Sequence, residues 1–329
     1  MVPRTMQSFL ALDQIYHGDS CELLERIEPD SIALSMWSPP YFVGKSYEKG
    51  MTFTDWCALL ATVIAKHQRL LKRGAFLVVN IADILCFADP TLPRIQAENL
   101  GGHRLPVSRD DVLRVLETHP GYNRYEVGRV LGVSEQTVDR RLKNNNIRGG
   151  KHSVQTRVKL VGGLIEEAAR EAGLPLYDRR VWVKDPAWEN SRWHTNSYRA
   201  VDEFEYLYVF WKPGITKIDR SRLSKEEWSE WGSRAVWHIP SVRANDNHEA
   251  KFPIELPRRV IRLLTDAGDT VLDCFVGSGT TAVAAILEKR RYIGIDKVKR
   301  HVQIARKECA RYADAGERLD YNGKHGPDG

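Results

Sequence analysis

Cysteine is scarce and scattered in this chain of 329 residues. Cys21, Cys57, Cys86, Cys274 and Cys309 form no C-x-x-C pair, which excludes a zinc cluster and a disulfide framework. His194, His238 and His248 show no metal-ligand spacing either, so no metal is expected. Long hydrophobic runs are missing. The longest apolar-rich stretch, Phe76 to Ala88, is too short for a membrane span and is broken by Asp83. No basic segment followed by an apolar one opens the chain, so a reduced, cytoplasmic setting is expected and a membrane is not. Internal repeats are absent. With 42% hydrophobic and 28% charged residues, what remains is a globular chain of one large domain or two modest ones.

The formal net charge of +6 is unevenly spread. Between His103 and Leu160, twelve Lys and Arg accompany six Asp and Glu, so this segment carries the surplus of the whole chain. Charge concentrated in this way points to a polyanion such as nucleic acid.

Apolar spacing predicts a strand, a helix and a second strand (Ile32–Met36) between Ile15 and Tyr41. A helix follows over Thr54–Leu71, with Thr54 as N-cap and Gly74 closing it, then a buried strand over Ala75–Ile81. Periodicity fades over Asp83–Pro106, a linker, and Ser108–Ile147 is helical. Leu160–Ala172 is a helix; Leu176–Val183 and Glu205–Trp211 are strands; Lys212–Asn247 is irregular and rich in Trp. Helices over Phe252–Thr265, Thr280–Lys289 and Lys299–Ala313 alternate with strands over Thr270–Cys274 and Tyr292–Ile295. Such alternation implies an α/β fold with a parallel sheet.

Two turns in this frame carry chemistry. Asp273-Cys-Phe275-Val-Gly277-Ser278-Gly279-Thr280 joins a strand to a helix, and its glycines let the backbone approach a ligand closely. No Lys follows, so this is not a phosphate-gripping P-loop. Asp273 would repel a pyrophosphate and suits an ammonium group. Asp296 follows the next strand, seventeen residues after Gly279, near the place of an acid that binds ribose hydroxyls. S-adenosylmethionine combines these groups. The second turn, Ser38-Pro39-Pro40-Tyr41, ends a predicted parallel strand, where open α/β sheets place their chemistry. Its prolines leave rigid carbonyl acceptors, a hydroxyl beside them can help hold an exocyclic amino group, and Tyr41 offers a stacking face.

Together these turns resemble the amino-methylating DNA methyltransferases, which modify cytosine N4 or adenine N6. Ser38 to Tyr41 is similar to the catalytic [DNS]-P-P-[YFW] of that family, and Asp273 to Thr280 matches its D-x-F-x-G-S-G-T cofactor signature. Gly18-Asp19-Ser20 looks like the element whose acid lies near the cofactor. His248 to Pro257, with Phe252 and Pro253, looks like the segment that packs against the methionine part. A catalytic motif ahead of the cofactor motif is the order of the family's beta group.

The resemblance implies an S-adenosylmethionine-dependent, Rossmann-like sheet with a helical helix-turn-helix insert. Residues 1–84 would form the catalytic half, 85–160 the insert, 161–313 the remainder with the cofactor half, and 314–329 a frayed tail. Ser38, Pro39, Pro40 and Tyr41 would be catalytic, with Ser38 and the Pro39 carbonyl holding the amine. Asp19, Phe252, Pro253, Asp273, Phe275, Gly277, Ser278, Gly279, Thr280 and Asp296 would bind the cofactor. In this family Ser at the first motif position goes mainly with cytosine N4 and Asp mainly with adenine N6, so cytosine is preferred and adenine is the alternative. A regulator using the fold only as a scaffold is the rival from another class, and the intact motifs argue against it. Methylation at C5 needs a cysteine nucleophile, usually after proline, and none of the five cysteines follows one.

In the basic segment, Asn123 to Lys143 resembles a helix-turn-helix of the Fis type, with Val127, Val130, Leu131, Val133, Val138 and Leu142 at core spacing. Its second helix would enter the major groove of duplex DNA with Ser134, Gln136, Thr137, Arg140, Arg141 and Lys143, one arginine on base edges and the other on phosphate. A homodimer and a cognate restriction endonuclease are compatible with this reading, and no residue specifies either.

Overall fold

The computed structural model describes residues 8–42, 50–92, 107–143, 156–186, 200–242 and 252–314. Strand β1 (Gln14–His17), the one-turn helix α1 (Ser20–Leu23) and β2 (Ile32–Trp37) open it, and α2 (Phe53–Leu70) runs directly into β3 (Leu71–Ile81). After β4 (Ile84–Ala88) come α3 (Arg109–Thr118), α4 (Arg124–Leu131) and α5 (Glu135–Leu142). They are followed by β5 (Thr156–Lys159), α6 (Gly162–Glu171), β6 (Leu176–Val183) and β7 (Phe204–Trp211). The last third holds α7 (Lys225–Glu227), β8 (Val236–His238), α8 (Glu255–Leu264), β9 (Thr270–Asp273), α9 (Thr280–Leu287), β10 (Arg291–Asp296) and α10 (Lys299–Asp314). None of the described helices is long and apolar enough to cross a membrane.

The described residues fall into two compact units, one within 1–85, 158–185 and 203–329, the other within 86–157 and 186–202. The first is built on an eight-stranded sheet of order β1-β10-β9-β2-β3-β7-β6-β8. Strands β1, β10, β9, β2 and β3 run parallel, whereas β7 pairs antiparallel with both β3 and β6. The expected parallel sheet holds for these five strands and is corrected only at β7. Every residue of β2 is buried, as expected of a strand covered on both faces.

Four local expectations also change. Thr52, not Thr54, caps α2: its hydroxyl accepts the Asp55 N–H at 3.1 Å and the Asp55 carboxylate accepts the Thr52 N–H at 2.9 Å, a reciprocal box that needs the acid three residues on. Gly74 does not close the helix. It lies inside β3 at φ +83°, where a Cβ would come within 2.1 Å of the Ile215 carbonyl oxygen, so only glycine fits. Part of the linker is β4, and the Trp-rich stretch contains α7 and β8. Trp182, Trp231 and Trp237 are buried in the core of this unit, which makes them packing residues. Trp188, Trp193, His194, His248 and the tail from 315 lie outside the described residues, as do 93–106 and 144–155.

In the second unit the predicted helical stretch is three helices around Val112, Val115, Val127 and Val138. Ser108, Asn123 and Ser134 cap them, and Gly132 ends α4 in the left-handed conformation at φ 66°. Val130, expected in this core, is 54% exposed, because Val127 and Leu131, one turn apart on α4, take the inward face.

Candidate active site

Sheet register brings the sequence motifs of the first unit to one edge. Ser35 pairs with Leu272, Asp273 with Gly294, and Asp296 with His17, in parallel strands throughout. Ser38, Asp273, Asp296 and Asp19 therefore lie at or just past the carboxyl ends of four adjacent strands, β2, β9, β10 and β1. At about 4.8 Å per strand, that row spans about 14 Å. Trp37, the last residue of β2, meets the Phe275 ring edge-on at 5.5 Å, which links the proline turn to the glycine turn.

Within the glycine turn, Gly279 is the N-cap of α9 at φ +92°, with the Ala305 backbone 3.0 Å from where a Cβ would be. Ser278 and Thr280 are buried beside it, their hydroxyls 3.4 Å apart. Asp273 is 3% exposed and accepts the Phe275 N–H at 3.0 Å. Burial, reinforced by the Asp296 charge, pushes its pKa up to about 7. Asp296 accepts N–H bonds from Gly277 at 3.0 Å and from Val298 at 2.7 Å, and His301 Nδ1 lies 3.4 Å away. Asp19 is exposed and caps α1 by accepting the Cys21 N–H at 2.8 Å. The hydroxyl of Ser20 donates to the Cys274 carbonyl and fastens α1 to the glycine turn. Phe252 and Pro253 are half-buried at the entry to α8, with Phe252 against the core. The preceding His248 to Lys251 lie outside the described residues.

Around the proline turn, Ser38 Oγ donates to Tyr41 Oη at 2.7 Å, and Tyr41 Oη donates to Glu205 Oε2 at 2.6 Å. Asn80 Nδ2 donates to both, at 3.0 and 2.6 Å, while Lys184 Nζ holds Glu205 Oε1 at 2.8 Å. Burial and the Glu205 charge raise the Tyr41 pKa well above 10, so the phenol keeps its proton. Not every proline carbonyl faces outward as expected: that of Pro40 accepts the Trp56 indole N–H at 2.6 Å, because Trp56 on α2 packs beneath the turn. Below it, buried His67 stands 2.8 Å from Ser35 Oγ and accepts from Trp37 Nε1 at 3.3 Å, its Nδ1 2.7 Å from the Val63 carbonyl. Burial lowers its pKa to about 4, which leaves it a neutral brace.

Sequence reasoning missed Glu205, Asn80, Lys184 and His67. The signal available was a lone carboxylate in the aromatic strand Phe204–Trp211 and a lone amide in the apolar run of β3. In the second unit, Ser134 and Thr137 hydroxyls lie 3.0 Å apart at the start of α5, and Gln136 is exposed. Arg141 Nε donates to the Val107 carbonyl at 2.7 Å, whereas Arg140 has no such tie among the described residues. Asp139 binds Lys143 and Arg124, each at 2.8 Å.

The profile of a family described as DNA methylase matches residues 32–307. The Type II methyltransferase M.BglI of Bacillus subtilis is 60% identical over 300 residues, which cover 91% of this chain and 86% of that protein. M.Cfr9I of Citrobacter freundii, also a Type II methyltransferase, is 26% identical over 299 residues, 88% of this chain and 85% of that protein. Two solved structures share the fold. The protein TTHA0409 of Thermus thermophilus, in complex with S-adenosyl-L-methionine, matches with TM-score 0.58 and 24% identity over 91% of this chain and 94% of that one. The cytosine-N4-specific PvuII DNA methyltransferase matches with TM-score 0.59 and 17% identity over 94% of this chain and 93% of the other.

Proposed function

The chain belongs to the DNA methylase family, and from that premise we propose that it methylates the exocyclic N4 amino group of cytosine in duplex DNA, with S-adenosylmethionine as the donor. The carrying observation is the row of Ser38, Asp273, Asp296 and Asp19 at four adjacent strand ends. The residues present fit this cofactor. Asp273 is a buried carboxyl suited to an ammonium, Asp296 an acid suited to ribose hydroxyls, and the turn at Gly277 and Gly279 permits close backbone approach. When bound, the cofactor supplies an electrophilic methyl group on a sulfonium.

Ser38 and the Pro39 carbonyl hold the target amine. Because the Ser38 proton is directed to Tyr41, its lone pairs are left to accept an N–H of the amine. This favours a pyramidal nitrogen with a usable lone pair. Most of the rate comes from holding that nitrogen in line with the methyl group. The base must leave the stack to reach the sheet edge, and α5 with Gln136 and Arg140, followed by Lys143, is suited to gripping the duplex. Serine at the first position of the proline motif favours cytosine over adenine.

Modification-sensitive sequencing of DNA from cells expressing the protein tests this reading. Methylated cytosines at a fixed sequence are expected. Unmodified DNA contradicts it.

A further inference from the structure

Amino methylation leaves one proton to be removed. When the amine lone pair becomes the new N–C bond, the S–C bonding pair stays on sulfur and the nitrogen holds a proton in excess. Something must take that proton, and Ser38, with its ordinary hydroxyl basicity, cannot keep it.

We propose that Glu205 is the terminal acceptor for this proton, reached through Ser38 and Tyr41. The inference rests on the reading of Ser38 as the residue that holds the amine. The direction of the chain is forced by chemistry. Glu205, paired with Lys184 at 2.8 Å, is a carboxylate and can only accept, so the single Tyr41 proton points to it. The Asn80 amide N–H fills one lone pair of Tyr41 Oη, and the Ser38 hydroxyl fills the other. Two short O–H···O contacts, 2.7 and 2.6 Å, therefore run in one direction from the amine site to a buried carboxylate. As the amine proton moves to Ser38 Oγ, the serine proton moves to Tyr41 Oη and the tyrosine proton to Glu205 Oε2. Both hydroxyls end with one proton each, and Glu205 ends neutral. No free tyrosinate or alkoxide is needed, which matters because the phenol resists ionisation. The proton later leaves Glu205 for water, and the two hydroxyls rotate back.

Glu205 acts through other groups, so the test must separate a proton sink from a prop for Tyr41. Glu205→Gln keeps an oxygen facing Tyr41 and Asn80 but takes no proton. Pairing it with Lys184→Met avoids leaving an ammonium opposite an amide. The readouts are the single-turnover rate of methyl transfer to enzymatically amplified, hence unmethylated, bacterial genomic DNA, the cofactor affinity by calorimetry, the DNA affinity and the melting temperature. A sink predicts that the single and double variants both lose about 100-fold or more in rate, with both affinities and the melting temperature near wild type, and that Glu205→Asp recovers part of the rate. A double variant within a few-fold of wild type overturns the proposal. So does a rate loss matched by loss of affinity or folding. If the wild-type protein methylates no amino group, the functional reading itself fails, and that result is distinct from either.

Discussion

The Gly277 N–H donates to the Asp296 carboxylate at 3.0 Å, so the glycine turn after β9 and the acid at the end of β10 form one piece. Asp296 is therefore both a candidate ligand group and the anchor of the turn. Its other oxygen takes the Val298 N–H, which fixes the start of α10 as well.

Replacing Asp296 with Ala is expected to weaken cofactor binding by about 10-fold or more, since one charge-assisted bond to ribose contributes about 1.5–3 kcal/mol. The melting temperature should fall too, because the buried Gly277 N–H and the part-buried Val298 N–H lose their acceptor. Calorimetry and thermal denaturation read the two effects. Unchanged affinity with a lower melting temperature would reduce Asp296 to a structural anchor.

The raised pKa of Asp273, about 7 through burial, sets a pH signature. Binding an ammonium requires the carboxylate, so below pH 7 a proton must be expelled. Cofactor affinity should fall by up to about tenfold per pH unit between pH 7 and 5.5, with proton release visible as a buffer-dependent binding enthalpy. The unliganded protein should show a matching stability trend. The folded state binds this proton more tightly than the unfolded chain, so the contribution of Asp273 to stability declines as pH rises from about 4 to about 7. Asp273→Asn should remove both slopes, and a slope that survives the substitution assigns it to another group.

Gly279→Ala forces a side chain into φ +92° with its Cβ 3.0 Å from the Ala305 backbone. A loss of about 1–3 kcal/mol is expected from the backbone conformation alone, measured as a lower denaturant midpoint. A variant as stable as wild type would mean that the turn relaxes and is not held by α10.

Arg140 and Arg141 should separate cleanly. The Arg141 guanidinium holds the Val107 carbonyl, so Arg141→Ala should lower the stability of the three-helix unit. Arg140→Ala should leave stability intact and weaken DNA binding, relaxing specificity at one base pair if it reads a base or reducing the salt slope by about one if it meets a phosphate. If neither variant changes DNA binding, α5 does not face the duplex.

Much of this site was legible because its motifs depend on local geometry. The strand-turn-helix from Thr270 to Leu287 and the proline turn after β2 were read from residue order alone. What escaped is non-local. Glu205 and Lys184 reach the proline turn only because β7 runs antiparallel beside β3 and brings its own start to the end of that strand, where Asn80 pairs with Leu207. Periodicity cannot report strand direction. His67 was hidden for a related reason, since its role depends on α2 lying beneath Ser35 and Trp37. The N-cap of α2 slipped by two residues because both Thr52 and Thr54 are plausible by composition, and the Asp55 carboxylate decides between them.

The central claim, amino methylation of cytosine at Ser38, is tested most directly by the product itself. Unmethylated duplex DNA incubated with the protein and isotope-labelled S-adenosylmethionine is digested to nucleosides, and the labelled nucleoside is identified by chromatography and mass spectrometry. The account predicts that the label lies in N4-methylcytosine and is lost with Ser38→Ala. Label in N6-methyladenine alone, or in 5-methylcytosine, would contradict it.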